Sequence, residues 1–460
     1  MVKQQVKSVV ISSILAGMSL PSFASALDLS NDDELSVIGS VKAGNPEGTI
    51  PAYSGKAPKT PANFREDFSN GRPNPYDDEP LFSITAENAS QYAEQLDGMI
   101  EIFEKYPDFR MDIYPTHRDV SYPEYVIENT QKNLTECKEI AGGVSLEGCY
   151  AGIPFPVPET GTQAMWNHLL QFTAYEYKTI DGWDAWVTTP DGKAVLQTRA
   201  AGYQRVKFFD PEAQGPHDSS LIYIKIRQED LAPARKVGGV LVLHSSVDAV
   251  NVGTRIWQYV PGQRRVKLAP NLAYDTPSPN SGGTSTIDDS KGFMGPLDRY
   301  DFTLAGKEEK FIMYNNFALN NPNDCGEEKI VNHANFPNPD CIRWELHRVW
   351  KVEATLKDGY RHAYPKRVFY WDEDAPGAGS VENYDSSGSL YRVANNIAIP
   401  FYEGEKGGMV ADGTIYMDLQ TGMWSVQALL GRAGAGWTVV EEPLSDILFN
   451  PEGMAGSGFR

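Results

Sequence analysis

The sequence lacks the motifs that mark many enzyme classes. Its 460 residues contain no Gly-x-Ser-x-Gly nucleophile motif, no His-Glu-x-x-His zinc motif, no P-loop and no dinucleotide-binding fingerprint. Only seven His residues are scattered along the chain. One of them, His168, lies beside an apolar helix face, where a hydrogen-bonded core histidine is more common than a catalytic base. We therefore predict no catalytic residue, no metal ligand and no cofactor.

Basic residues are also scarce relative to acids. The chain has 41 Lys and Arg against 61 Asp and Glu, which gives a formal net charge of −20. Binding to a nucleic-acid backbone requires clustered Lys and Arg. We therefore expect no nucleic-acid partner, and we interpret the negative charge as a solubility feature.

Long hydrophobic runs are missing except near the N-terminus. Lys3 and Lys7 form a basic region, residues 9–20 are mostly apolar, and Ala24-Ser25-Ala26 supplies the small residues of a cleavage site. The run is shorter than the roughly 20 residues that a membrane-spanning helix needs. We predict a cleaved signal peptide at 1–26 and a soluble periplasmic protein. No Cys follows the cleavage region, so we expect no lipid anchor.

Cysteine is rare but even in number. The four Cys residues form two local pairs, Cys137 with Cys149 and Cys325 with Cys341. In an exported chain this pattern predicts two disulfides. A zinc site is less consistent with the sequence, because the close Cys-x-x-Cys spacing is missing.

Helical and strand patterns occupy different parts of the chain. Residues 44–80 are rich in Pro, Gly and Asn, and apolar residues at helical spacing predict helices over 86–105, 123–137 and 163–172. From about residue 180 the apolar period becomes two, with short turns between segments. Strands are predicted over 221–227, 239–245, 255–260, 265–268, 310–314, 342–356, 364–371, 379–384, 389–393, 414–419 and 424–428.

These patterns predict a mainly β protein of the α+β type. Strand–turn–strand repetition without intervening helices favours a large antiparallel sheet of hairpins, and the helices of the first third are available to cover it. A Gly-, Ser- and Asp-rich loop over 270–300 is long enough to be functional or disordered.

The strand predicted over 342–356 has one apolar face. Its even positions are apolar or aromatic, Trp344 and Trp350 among them, except for Arg348 in the middle. Arg348 could pair with a core carboxylate, or pack its stem while its charged end reaches water. Alternatively, it could meet the polar head of an amphiphile in an apolar cavity. Trp344, Arg348 and Trp350 are therefore candidate ligand-binding residues.

A second strand adds two candidates. Over 255–260 the odd positions place Trp257 and Tyr259 on one face. The Trp and Tyr side chains on this sheet face are larger than the Leu and Val side chains that suffice to pack a core. Ordinary core packing nevertheless explains any single aromatic residue. We therefore add Trp257 and Tyr259 to the candidate ligand-binding residues.

Longer motifs identify a resemblance that covers nearly the whole mature chain. They are GNPEGTIPAYSG at 44–55, YPDFRMDIYPTHR at 106–118, GIPFPVP at 152–158, AMWNH at 164–168, APNLAYDTP at 269–277 and DRYD at 298–301. Together these motifs resemble the bacterial family of domain of unknown function 1329 (DUF1329). The segment WQYVPGQRRV at 257–266 is similar to the strand–turn–strand signature of the LolA/LolB-like, outer-membrane lipoprotein-sorting fold.

The resemblance implies an architecture and a general role. It implies a curved antiparallel sheet, or half-barrel, around an apolar cavity. We therefore divide the chain into a signal peptide at 1–26, an extended and helical layer at 27–175, and a LolA/LolB-like half-barrel at 176–460, the last two packed as one unit. It also implies association with a resistance-nodulation-division type exporter and a companion outer-membrane protein.

The function that we predict is a non-enzymatic periplasmic carrier or accessory protein for a lipid or another hydrophobic compound. Two alternatives belong to other classes. One is an exported hydrolase acting on lipid or glycan, with carboxylates at the mouth of the same groove. The other is an envelope sensor that binds mislocalised lipoproteins.

Overall fold

A computed structural model describes residues 27–269, 274–403 and 405–455, so the predicted signal peptide lies outside the described residues. In this part of the chain the strands are β1 (Phe82–Ile84), β2 (Met111–Ile113), β3 (Lys138–Ile140), β4 (Ser145–Glu147), β5 (Glu176–Ile180), β6 (Trp183–Thr188), β7 (Ala194–Arg205), β8 (Ile222–Ala232), β9 (Val240–Ser246), β10 (Thr254–Val260), β11 (Arg265–Leu268), β12 (Tyr300–Met313), β13 (Trp344–Leu356), β14 (Lys366–Asp372), β15 (Gly379–Tyr384), β16 (Leu390–Pro400), β17 (Met409–Asp418), β18 (Trp424–Leu429) and β19 (Gly436–Val439).

Helices are short and few. The α-helices are α1 (Ala93–Leu96), α2 (Ile100–Lys105), α3 (Glu124–Glu136), α4 (Gly161–Leu169), α5 (Pro322–Cys325) and α6 (Glu327–Val331). Turns of 3-10 helix occur at Ala89–Tyr92, Asp97–Met99, Ala141–Gly143, Lys207–Phe209, Pro261–Gln263, Ile287–Asp289, Phe317–Asn320, Pro339–Cys341, Asp446–Phe449 and Pro451–Gly453. None of the described helices has the length and apolar character that crossing a membrane requires.

Most strands belong to one antiparallel sheet. Thirteen of them pair side by side in the order β12, β13, β14, β15, β16, β17, β18, β6, β7, β8, β9, β10, β11. In the described residues, the end strands β11 and β12 each pair with one neighbour, so the sheet is open. The prediction of a mainly β fold with a large antiparallel sheet is confirmed.

Two branches extend this sheet. The end of β7 pairs with β5, which pairs in turn with β19. The hairpin of β1 and β2 joins the sheet through one parallel bridge between Ile113 and Trp344 of β13. The N-terminal layer therefore adds strands to the sheet as well as covering it, although the division of the chain at residue 176 stays a prediction.

The long helix predicted over 86–105 is broken. Asp97 has a positive φ of 49° with ψ of −129°, which a helix cannot accommodate. Its carboxylate accepts a hydrogen bond from the Tyr370 hydroxyl at 2.6 Å and pairs with Lys351. The next residue, Gly98, lies so close to Glu382 and Tyr384 that an added Cβ would collide with them. Contacts to the sheet therefore override the helical pattern here.

Both predicted disulfides are present. Cys137 pairs with Cys149, and Cys325 pairs with Cys341. The first connects the end of α3 to the segment after β4, and the second connects α5 to the turn before β13. Each closes a short loop, and a loop of about 15 residues contributes about 3 kcal/mol in the chain-entropy description.

Candidate functional site

A cavity of about 200 Å³ lies between one face of strands β7–β10 and the chain segment 274–296, which we call the cover segment. The strand register places the sheet side of the cavity in two cross-strand rows. One row contains Gln204, Ile226, Leu243 and Ile256, and the other contains Gly202, Gln228, Leu241 and Gln258. The first row is mainly aliphatic, whereas the second carries two side-chain amides. The sheet therefore provides an apolar surface with hydrogen-bonding groups at its margin.

Two tryptophans complete the wall beside Gly202. An ideal Cβ at this glycine would lie 3.1 Å from Nε1 of Trp183 and 3.2 Å from Cη2 of Trp437. Both indoles line the cavity. The absence of a side chain at position 202 thus permits the rings to approach the sheet and adds aromatic surface to the cavity.

The cover segment closes the cavity from the other side. It contributes Ile287, Met294 and Pro296 to the lining, together with the polar residues Ser278 and Asn280. The loop predicted over 270–300 as functional or disordered is therefore, over its described part, the wall opposite the sheet. Residues 270–273 lie outside the described residues.

Buried ion pairs hold the cover segment on the sheet. In the turn Ile287–Asp289, the Thr286 amide donates to Asp289 at 2.7 Å. Arg367 of β14 donates to Asp288 at 3.1 Å and to Asp289 at 2.7 Å, and His362 lies 3.0 Å from Asp288. Burial alone would raise the pKa of Asp288, but the charges of Arg367 and His362 outweigh it and lower the pKa to about 2. Asp288 is therefore an ionised anchor at neutral pH.

A second charged pair lies inside the cavity. Nζ of Lys291 is 2.5 Å from Oδ1 of Asp412 and 2.8 Å from Oε1 of Gln204. The Tyr177 hydroxyl donates to Asp412 at 3.1 Å. Burial, with the Asp412 carboxylate, raises the pKa of Tyr177 well above its usual range. The charges at this end of the cavity thus compensate one another, and the surrounding hydroxyl and amide groups are neutral.

Trp257 and Tyr259 lie on the other face of the sheet. Ile256 and Gln258 of β10 point to the cavity, so the alternation of a strand places Trp257 and Tyr259 on the outer side. There both half-buried rings pack against a small cluster formed by Val240, Val242 and Met454. They do not line the cavity, and their predicted role in ligand binding stays a prediction.

Arg348, Trp344 and Trp350 lie on β13, away from the cavity lining. Trp344 is buried in a core cluster, and the half-buried ring of Trp350 lies 4.4 Å from Nζ of Lys307. Nε of Arg348 donates to Oε1 of Glu373 at 2.7 Å, and Nη2 donates to the Ala43 carbonyl at 2.7 Å. The geometry is that of the core-carboxylate alternative, and the ligand-binding role of these three residues stays a prediction.

On the opposite face of β13 the odd positions 345–349 are buried as well, whereas Thr355 near the end of the strand is exposed. Glu345 and His347 are 0% and 1% exposed. His347 lies between carboxylates, 3.1 Å from Asp372 and 3.2 Å from Glu345. Burial lowers its pKa, but Asp372 and Glu345 outweigh this and raise the pKa to about 9. His347 is therefore a buried cation at neutral pH.

Ligand atoms of His347, Asp372 and Asp374 lie within 4.8 Å of one another, as in a metal site. Their partners are side chains of the protein, however. Arg118 donates to both carboxylate oxygens of Asp374, at 2.7 and 2.8 Å, and the Tyr314 hydroxyl donates to Asp372 at 3.2 Å. Since guanidinium and imidazolium charges already balance these carboxylates, the cluster is an ion-pair network that joins the N-terminal layer to the sheet.

One known family of proteins matches the chain over nearly all of its strands. A family model described as "Protein of unknown function (DUF1329)" matches residues 83–455. An uncharacterized protein of Pseudomonas aeruginosa is 36% identical over 379 residues, which cover 80% of each chain.

The solved structures that resemble this chain share less of its sequence than the Pseudomonas aeruginosa protein does. A DUF1329 family protein from Desulfovibrio piger has a TM-score of 0.40 at 14% identity, covering 61% of this chain and 92% of that one. A putative outer membrane lipoprotein-sorting protein domain from Vibrio parahaemolyticus has a TM-score of 0.39 at 15% identity, covering 60% and 91%. A LolA superfamily protein from Nitrosomonas europaea has a TM-score of 0.35 at 12% identity, covering 64% and 98%.

Proposed function

The chain belongs to the DUF1329 family of proteins of unknown function, and we propose that it is a periplasmic carrier that binds a lipid or another hydrophobic compound in the cavity under the cover segment. The observation that carries the proposal is the cavity itself, with aliphatic and indole groups on its walls and amides at its margin. An apolar cavity of about 150 Å³ already suffices to bind a benzene-sized molecule. The space here, about 200 Å³, therefore accepts part of a larger apolar molecule.

The charges in the cavity favour a ligand without net charge. Lys291 is neutralised by Asp412, and Asp288 by Arg367. A buried ligand carboxylate would have to displace one of these partners or stay unpaired, and an unpaired buried charge is costly. A hydroxyl, ester or amide head could instead exchange hydrogen bonds with Gln228 and Gln258, while the apolar part of the ligand contacts the aliphatic row.

The proposed location and partners rest on other features. Two disulfides suit an oxidising compartment, which agrees with the signal peptide expected at 1–26. A carrier in the periplasm needs a donor and an acceptor membrane. We propose as partners an exporter of the resistance-nodulation-division type and a companion outer-membrane protein, which the family resemblance implies.

Filling the cavity tests the proposal. In Ile256→Trp the larger indole should occupy the space next to Leu243 and exclude an apolar ligand from it. We therefore expect binding of the neutral probe N-phenyl-1-naphthylamine to weaken by about tenfold or more, which corresponds to at least about 1.4 kcal/mol of binding free energy. Fluorescence titration measures the dissociation constant, and mass spectrometry of an organic extract of the natively purified protein identifies the ligand itself.

The neighbouring residue provides a matched control. Arg255 is exposed and points to the opposite face of the same strand, so Arg255→Trp introduces the same side chain outside the cavity. This variant should bind the probe like the unmodified protein. Equal affinities of both variants and the unmodified protein would show that the cavity is not the binding site.

A further inference from the structure

Two hairpin turns lie side by side at one end of the sheet. The turn 233–239 connects β8 to β9, and the turn 261–264 connects β10 to β11. They are in contact, because an ideal Cβ at Gly238 would lie 3.3 Å from Cγ of Pro261. Since β11 is an end strand, these turns project from a free corner of the sheet.

This corner is basic in a protein that is otherwise strongly acidic. The segment 233–268 contains six Lys and Arg but one acidic residue, Asp248, whereas the whole chain has a net charge of −20. Arg235, Arg264, Arg265 and Lys267 are all exposed. In the described parts of the chain, no salt bridge or side-chain hydrogen bond neutralises these four cations.

The two acidic residues of β8 at the same end already accept hydrogen bonds from neighbouring side chains of the strand. Glu229 accepts a hydrogen bond from Arg227 at 2.6 Å. Asp230 accepts one from Gln228 at 2.8 Å. The positive charge of the corner is thus directed to solvent, where it is available for an external partner.

Exposed aliphatic side chains accompany the cations. Val237 is 42% exposed in the first turn, and Val260 is 40% exposed at the end of β10. We call the six residues Arg235, Val237, Val260, Arg264, Arg265 and Lys267 the hairpin-tip patch. Cations beside protruding apolar groups are typical of surfaces that enter the headgroup region of an anionic membrane.

We infer that the hairpin-tip patch is a docking surface for anionic phospholipid headgroups. Charge complementarity carries the inference. An acidic protein would need only the cations of the patch, so the exposed aliphatic side chains beside them favour a lipid surface. The position of the patch agrees with a carrier. Nζ of Lys236 in the first turn lies 3.1 Å from Oδ1 of Asn280, which lines the cavity. A membrane bound at the patch would therefore lie next to the cover segment.

Vesicle binding tests this inference independently of the cavity. The unmodified protein should cosediment with vesicles of phosphatidylcholine that contain phosphatidylglycerol but not with vesicles of pure phosphatidylcholine, and high salt should reduce the binding. The variant with Arg235→Glu, Arg264→Glu, Arg265→Glu and Lys267→Glu should lose about tenfold or more of its partition coefficient, because each cation near an anionic surface contributes on the order of a few-fold.

Four exposed cations elsewhere give a control of equal charge. The variant with Lys56→Glu, Lys59→Glu, Arg65→Glu and Lys138→Glu has the same net charge as the test variant, and all four positions are exposed. It should keep clearly more binding than the test variant. Equal losses in the two variants, or no binding of the unmodified protein to phosphatidylglycerol vesicles, would overturn the inference and leave an acidic protein as the partner to consider. Circular dichroism must show that both variants are folded.

Discussion

Arg367→Met is the substitution that tests how the cover segment is held. The guanidinium is fully buried and donates to both Asp288 and Asp289. Its removal leaves two buried carboxylates without a guanidinium, and their remaining partners are His362, Tyr364, the Thr286 hydroxyl and local backbone groups. Removing one member of a buried ion pair costs about 3–5 kcal/mol, because the charge left behind is uncompensated. We expect the free energy of unfolding to fall by that amount.

The same substitution should change the response to acid. The pKa of Asp288, about 2 in the folded protein against 3.8 in the free side chain, corresponds to about 2 kcal/mol of stability. Because the folded pKa is depressed, this contribution is present above pH ~4 and is lost as the pH falls towards 2. Without Arg367 the pKa of Asp288 should rise, so the contribution of Asp288 to the pH dependence of stability should disappear from this range.

Urea denaturation at several pH values measures both effects, and hydrogen exchange reports the cover segment separately. Lys366→Met is the control, since Lys366 is exposed at the start of the same strand and its loss should change stability by about 0.5 kcal/mol at most. Adding Asp288→Asn and Asp289→Asn to Arg367→Met should recover part of the loss. A loss below about 1 kcal/mol in the single variant would refute the idea that this pair anchors the cover segment.

Two further predictions concern β13. The pKa of His347, raised to about 9, corresponds to about 3 kcal/mol of stability, which is present below pH ~6.5 and is lost as the pH rises to 9. His347→Gln should therefore flatten the pH dependence of the free energy of unfolding between pH 6.5 and 9. An unchanged slope would contradict the cationic state of His347. Arg348→Leu should cost only about 1–3 kcal/mol, because Glu373 keeps Arg118 and Lys307 as partners, and should leave binding of the neutral probe unchanged. A tenfold weaker affinity would instead favour the ligand-binding role that the sequence suggested for Arg348.

The sequence predicts the second half of the fold well, since alternation and turn residues are local signals. Each predicted strand overlaps an observed one. β5, β6 and β7 were not predicted individually, because buried polar residues such as Asp184, Thr198 and Gln204 interrupt their apolar period. The broken helix at Asp97 could not be predicted either, because the partners that break it, Lys351 and Tyr370, lie more than 250 residues later.

The candidate site was predicted less well, for a physical reason. Strand alternation shows that two faces exist but does not show which one encloses a cavity. On β10 the aromatic face, with Trp257 and Tyr259, was the more conspicuous, whereas the cavity uses Ile256 and Gln258. The useful signal was the long polar loop over 270–300, whose described part forms the opposite wall. A buried charge network such as that of His347 is likewise a three-dimensional property, because its members come from segments that are far apart in the sequence.

The contacts between the N-terminal layer and β13 and β14 bear on how the chain reaches this structure. Arg118 binds Asp374, which is 256 residues away, and the Thr116 hydroxyl donates to the Leu346 carbonyl, 230 residues away. Contacts between such distant residues form slowly, because a long loop must close before they contribute. A chain that leaves the ribosome N-terminus first therefore carries Arg118 without its carboxylate partners until most of the protein has been synthesised. The contacts that attach the N-terminal layer to β13 and β14 can consequently form only after these two strands have been synthesised.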